Sequence, residues 1–121
     1  MSAPAAHTLP KEERLCGVTR IAGLLKSGRY GTAGCIRYCH APNGLGVNRI
    51  LVSVPKRSFK RAVRRNQLKR RIRESYRLQK EMLPGGTDLM LIYTPREILP
   101  FADIYAAVGQ VLETLAGHGA E

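Results

Sequence analysis

Between Lys56 and Lys80 stand twelve of the chain's twenty lysines and arginines and a single acid, Glu74. A charged helix can serve as a solvated face or as a binding surface for a polyanion. Solvated faces mix signs, because opposite charges four residues apart support a helix. Here Lys56/Lys60, Arg57/Arg61, Lys60/Arg64, Arg61/Arg65, Arg65/Lys69, Lys69/Arg73 and Arg73/Arg77 are all like-charged pairs, and only Arg70/Glu74 opposes them. At roughly 0.2–0.5 kcal/mol each, these pairs cost the free helix on the order of 2 kcal/mol before salt screening. A polyanion reverses that sign, since each neutralised phosphate releases condensed counterions. Arginine outnumbers lysine in the run, and its planar fork suits phosphate and guanine edges better than a point charge does. The chemistry these residues suit is recognition of a nucleic acid.

Residues that could make or break bonds are missing from the pattern. No Ser/His pair, carboxylate pair or metal-ligand cluster is visible, and His7, His40 and His118 are scattered and read as surface or tail positions. Three cysteines, Cys16, Cys35 and Cys39, lack the paired spacing of a zinc site. Cys35 and Cys39 fall on one face of a strand, about 13 Å apart along it, which is too far for a disulfide. Reduced, buried thiols are expected.

The elements that must position the cations follow from periodicity. A chain of 121 residues with a net charge of +11 and 44% apolar residues supports one domain that folds without disulfide or metal. Residues 1–10 are expected as a flexible tail, 11–117 as the domain and 118–121 as a C-terminal tail. Ile21, Leu24 and Leu25 at helical spacing, closed by Gly28, predict a helix over 18–27. Strands are expected over 33–40 and 47–54, joined as a hairpin through Pro42, Asn43, Gly44 and Gly46.

The cationic helix is expected from about Ser58 to about Met82. At about 100° per residue, Leu68, Ile72, Tyr76, Gln79 and Leu83 share its core-facing side, while Asn66, Arg70, Arg73 and Arg77 form a neighbouring outward row. The run from Asp88 to Thr94 predicts a strand buried on both faces. Phe101, Ile104, Val108, Val111, Leu112 and Leu115 then form the stripe of an amphipathic helix ended by Gly117 and Gly119. The order α-β-β-α-β-α predicts an α+β fold, a small two-layer sandwich with helices packed on one sheet. Neither a signal peptide nor a membrane span is apparent, so a cytoplasmic location is expected.

The order Arg65, Asn66, two residues, Lys69, Arg70, two residues, Arg73, within the stretch Phe59 to Tyr76, resembles the signature of the protein subunit of bacterial ribonuclease P. Leu9 to Leu15, Ser53 to Lys56 and the Asp88 strand also fall where that family has them, so the resemblance spans about residues 9–116. It implies a ribosomal-S5-domain-2-like fold with a left-handed βαβ crossover, against the usual right-handed rule. It further implies two partners, the catalytic ribonuclease P RNA subunit and precursor tRNA, whose 5′ leader the complex removes by metal-assisted hydrolysis. Mg²⁺ would belong to the holoenzyme, held mainly by RNA and not by the protein. No membrane or small-molecule substrate is implied.

By the same resemblance Arg65, Asn66, Lys69, Arg70 and Arg73 contact RNA near the active site, with Arg61, Arg64 and Arg71 adding backbone contacts; Arg77 is expected at the RNA as the last member of the outward row. A leader-binding cleft maps to Ile21 and Leu25 on the first helix and to Ile36 and Tyr38 on the first strand. This chain departs from many relatives in having Ile21 and Leu25 where they carry phenylalanines, and Gln67 where they often carry arginine. Two other readings of the residues remain open, a general nucleic-acid-binding module and a nuclease acting alone.

Overall fold

The computed structural model describes Leu15, residues 18–83 and residues 85–119. Its elements are α1 (Val18–Ser27), β1 (Arg29–Ala33), β2 (Ile36–Pro42), β3 (Arg49–Ser53), α2 (Ala62–Gln79) with a 3₁₀ turn at Lys80–Met82, β4 (Thr87–Tyr93) and α3 (Phe101–Gly119). The expected flexibility of residues 1–10 and the roles of His7, Cys16 and the His118 side chain fall outside the described residues.

A strand that is apolar at nearly every position satisfies both its faces only in the interior of a sheet. β4 takes that place: the sheet order is β1-β2-β4-β3, with β2 antiparallel and β3 parallel to it. The hairpin expected between 33–40 and 47–54 is therefore corrected. β2 and β3 are separated by β4, and residues 43–48 are a connection whose ends are tied by side-chain amides. Asn43 Nδ2 donates to Val47 O at 3.2 Å, and Asn48 Nδ2 donates to Leu83 O at 3.1 Å.

The hairpin is instead β1–β2, with Ala33 opposite Ile36 and Gly34 at φ 55° in the turn. Gly34 stands at the first central position of a two-residue turn, where a positive φ matches the strand twist. No strand is expected over β1 from the sequence, because Arg29, Tyr30, Gly31 and Thr32 carry almost no apolar signal. As an edge strand it is largely exposed, which is how such a sequence can still pair.

Pleating sends alternate residues to opposite faces. Ile36 and Tyr38, Ile50 and Val52, and Leu89, Leu91 and Tyr93 face α2 and α3 and form the main core with Leu68, Ile72 and Tyr76 of α2 and Ile104, Val108, Val111 and Leu112 of α3. The other face carries Cys39, Ala41, Leu51 and Met90, and there α1 packs through Ile21 and Leu24, with Leu15. Helices thus cover both faces, two on one and α1 on the other. Leu15 also donates its backbone N–H to Ile50 O at 2.8 Å, on the free edge of β3.

Of the expected α3 stripe, Phe101 alone is exposed, beside Tyr105 with ring centroids 5.8 Å apart. The rest is buried as the spacing predicts. Leu68, Ile72 and Tyr76 are each no more than 1% exposed. At about 1.5–3 kcal/mol per fully buried large apolar side chain, these three anchors outweigh the like-charge repulsion within α2. Packing holds this helix on the sheet; local charge opposes it.

Candidate nucleic-acid interface

α2 begins at Ala62, four residues later than expected from the sequence. Pro55 O accepts the N–H groups of Ser58 and Phe59 at 3.2 and 3.3 Å, folding that segment into a turn, and Phe59 buries its ring 6.0 Å from that of Tyr93. Arg61 is the N-cap, with an extended backbone and no side-chain capping bond. The first turn contains no acid, so the helix dipole is left without its usual complement. The exposed positive end of α2 and the cations around it leave a strongly electropositive corner.

Along the helix Asn66, Arg70 and Arg73 are exposed, as are Arg61 and Arg64, and Lys69 is half-buried. The outward row is therefore present over two turns. Arg77, its fourth member, is half-buried and bonded to Glu74, Nε to Oε1 at 3.0 Å and Nη2 to Oε2 at 2.5 Å. Glu74 thus takes Arg77 at i+3, a correction to the Arg70/Glu74 pair expected from spacing. The long arginine reaches back over its own turn, where both carboxylate oxygens meet the Nε–Nη2 edge of the guanidinium.

Two further arginines turn inward. Arg65 Nη1 donates to Phe59 O at 2.6 Å and to Lys60 O at 2.9 Å. Arg71 Nη1 donates to Leu99 O at 2.9 Å, tying α2 to the segment that leads into α3. Gln79 Nε2 adds a second tie at Tyr105 O, 3.0 Å away. Cations that look equivalent in the sequence thus divide into solvent-facing groups and groups that hold the fold.

On the opposite side of the sheet the expected cleft needs a second correction. Ile21 does pack from α1 against the sheet and Leu25 is exposed, but Ile36 and Tyr38 point to the other face and are 0% and 8% exposed in the main core. A shift of one residue along a strand exchanges its two faces, and the residues of β2 turned toward α1 are Arg37 and Cys39. Opposite Cys39 on β1 stands Tyr30. Tyr30 is 47% exposed. Its hydroxyl donates to Leu25 O at 2.9 Å, and the Arg37 guanidinium lies 5.1 Å from its ring centroid.

Cys39 donates to Leu24 O at 3.3 Å. Burial pushes its thiol pKa up, so it remains a neutral donor. Tyr30 and Cys39 thus bond two carbonyls in the last turn of α1, those of Leu25 and Leu24, and tie the helix to the sheet. Arg37 also lines a pocket with Arg57, Ser58, Thr94 and Arg96, walled by Ile92 and Pro55. This pocket gathers three cations from three separate segments. Sequence inspection missed Tyr30, Arg37 and Arg96 because none belongs to the cationic run: the β1–β2 register sets Tyr30 beside Arg37, and the bend after β4 brings Arg96 to the Arg37 pocket.

At the far end of this face Asp88 receives Arg49 Nε at 2.8 Å and Nη2 at 2.7 Å, and Asn43 Nδ2 at 2.9 Å. Burial alone would raise its pKa, but these charge-assisted bonds outweigh it and hold the carboxyl below its ordinary value. Among the described residues no three His, Cys, Asp or Glu side chains converge to hold a metal, and no helix is long and apolar enough to cross a membrane.

Residues 9–116 match the family model described as Ribonuclease P. The ribonuclease P protein component of Porphyromonas gingivalis is 36% identical over a 128-residue alignment that covers 98% of this chain and 93% of the relative. That of Nitrosomonas europaea is 33% identical over 98 residues, covering 81% and 82%. Among solved structures, the RNase P protein from Thermotoga maritima superposes with a TM-score of 0.76 at 25% identity, covering 84% of this chain and 96% of that one. The Staphylococcus aureus RNase P protein gives a TM-score of 0.75 at 23% identity, over 84% and 94%, and bears on the fold alone.

Proposed function

Because the chain belongs to the ribonuclease P protein family, we propose that it binds the catalytic RNA subunit through the exposed face of α2 and the 5′ leader of precursor tRNA through the groove beside α1, at the pocket of Arg37, Arg57 and Arg96. It is the protein component of a ribonucleoprotein endoribonuclease that generates mature tRNA 5′ ends. The observation that carries the finer assignment is the division of cations between two faces, with Asn66, Arg70 and Arg73 on one and Arg37, Arg57 and Arg96 on the other.

The sheet face beside α1, where Arg37, Arg57 and Arg96 line a pocket, suits a single strand, whose bases are free to stack. Tyr30 offers the π-face, Ile21 and Leu25 the apolar wall, and the three arginines the backbone charge. In α2 the electropositive N-terminus and the outward row suit a structured RNA backbone. The protein's part in catalysis is then positioning, holding RNA and leader in register for the reaction.

Mg²⁺ prefers oxygen ligands, usually carboxylates and phosphates. Glu74 and Asp88 are already engaged by Arg77 and Arg49, and the described carboxylates do not gather in threes, which supports assigning Mg²⁺ in the holoenzyme to RNA phosphates. A cytoplasmic location accords with this role.

Reconstitution tests the proposal. Leader cleavage is expected to need the RNA subunit, to quicken when the protein is added at low Mg²⁺, and to be absent with protein alone. Robust cleavage by the protein alone overturns it. Equal affinity for the RNA subunit, an unrelated structured RNA and duplex DNA at about 0.15 M salt marks a general nucleic-acid binder instead.

A further inference from the structure

We infer that Arg65 acts as a positioning residue: it holds the Pro55–Arg61 turn in place and thereby couples the cationic helix to the groove beside α1 that Arg37, Arg57 and Arg96 line. The inference rests on the proposed assignment of that groove to the leader.

The turn carries four cations, Lys56, Arg57, Lys60 and Arg61, all exposed. Arg57 lines the pocket with Arg37 and Arg96, whereas Arg61 opens α2. The segment therefore belongs to both surfaces. It needs fixing, because four like charges in six residues repel one another.

Pro55 O folds the segment by accepting the N–H groups of Ser58 and Phe59, and two side chains hold the folded turn in place. Phe59 anchors the turn by its ring against Tyr93. Beyond Phe59 the chain must reach the helix, and the carbonyls of Phe59 and Lys60 lie ahead of its hydrogen-bond ladder. Arg65, one turn into α2, donates a single Nη1 to both. An acid capping the helix would have served the same mechanical end, but Arg61 makes no capping bond and no acid stands in the first turn. A carboxylate there would also repel the phosphates this corner is suited to bind. Arg65 instead ties the segment to neutral acceptors and keeps the corner positive.

If the tie is cut, the turn retains its composition but loses its register, and Arg57 leaves the Arg37–Arg96 pocket. The predicted consequence is specific: loss of leader discrimination, which a phosphate contact made by Arg65 with the RNA subunit would not cause.

The test is Arg65→Met in the full chain, which keeps the apolar stem and removes the donor. In the free protein, ¹⁵N relaxation should show the amides of Arg57, Ser58, Lys60 and Arg61 gaining nanosecond mobility while those of β4 and α3 stay rigid. In the holoenzyme, the ratio of precursor to mature tRNA affinity should fall in Arg65→Met and in Arg57→Ala. The double variant should fall no further than either, a departure from multiplicativity of about threefold or more.

Amides 57–61 as rigid as in the parent overturn the inference, and so do effects that simply multiply. If Arg57→Ala leaves the ratio unchanged, the leader assignment fails. The relaxation data then decide the positioning role on their own.

Discussion

The reassignment of the groove yields a paired test in which the two tyrosines exchange roles. By the strand positions implied by the family resemblance, Tyr38→Ala should impair leader binding in a folded protein. The structure requires the reverse. Tyr38 is 8% exposed, lies across Gly31 on the core face of the sheet and neighbours His40 at 6.0 Å between ring centroids. Removing a buried aromatic ring of this size costs about 3–5 kcal/mol. At roughly 3–5 °C per kcal/mol for a domain of this length, the thermal midpoint should drop by about 10–20 °C.

Tyr30→Leu perturbs much less. The ring is half-exposed and its hydroxyl donates to Leu25 O at the surface, a bond worth about 0.5–1.5 kcal/mol net, so the midpoint should move by no more than about 8 °C. Base stacking on an aromatic is worth about 1–3 kcal/mol. Because Arg37 already covers part of the ring, the low end applies, and precursor tRNA should lose about five- to twentyfold in affinity relative to mature tRNA. Tyr30→Phe keeps the π-face and should keep the preference. Differential scanning calorimetry and competitive binding with a fluorescent leader read the two quantities separately. A Tyr38→Ala protein with unchanged midpoint and lost leader preference, beside a Tyr30→Leu protein that retains it, would refute the reasoning.

Other perturbations address the remaining surfaces. Combining Arg70→Ala with Arg73→Ala should weaken binding to the RNA subunit and flatten the log–log salt dependence by about 0.7–0.9 for each phosphate no longer neutralised; an unchanged slope removes this face from the interface. Asp88→Asn should cost about 2–3 kcal/mol by chemical denaturation, since it leaves Arg49, 13% exposed, without its charge partner. Asp88 has a lowered folded pKa, so its contribution is present above the ordinary carboxylate range and is lost as pH falls through that lowered value. The acid limb of stability should accordingly flatten in the variant, and an identical acid limb would contradict the assignment. Gly31→Ala should destabilise by about 1–3 kcal/mol, because a Cβ there collides with the Tyr38 ring. A midpoint equal to the parent's would show that the ring has room to move.

Much of the architecture was legible because burial writes a period into the sequence. Leu68, Ile72 and Tyr76 recur at helical spacing, the stripe from Ile104 to Leu115 is regular, and the run Leu89 to Tyr93 has almost no polar interruption. Each of these segments had one way to bury its apolar surface. The errors came where burial writes little. β1 is an edge strand of polar residues, and nothing in Arg29–Ala33 distinguishes it from a loop. The strand order escaped as well, because two adjacent segments with a glycine-rich connection look alike whether they pair or are separated by a later strand. Composition says that β4 is central; it does not say which strands flank it. The cleft was wrong by one residue for a related reason: on β2 both faces are covered, so Ile36, Tyr38 and Cys39 all read as buried and the alternation carries no sign.

The cations illustrate a different limit. Sequence counts charge but not its direction, and here direction decides function. A chain with twenty basic and nine acidic residues cannot balance its arginines against carboxylates. This fold does not attempt to: Arg65 bonds Phe59 O and Lys60 O, and Arg71 bonds Leu99 O. A guanidinium has five donors and tolerates neutral acceptors, so it can serve as a tertiary tie without an acid that would weaken the field over α2. The same substitution made with lysine would offer a strongly hydrated point charge in place of a planar fork. An arginine-rich helix can therefore anchor itself and remain a polyanion surface at once. On this argument Arg71→Lys should loosen the junction before α3 although the net charge is unchanged, with faster hydrogen exchange near Leu99 as the sign.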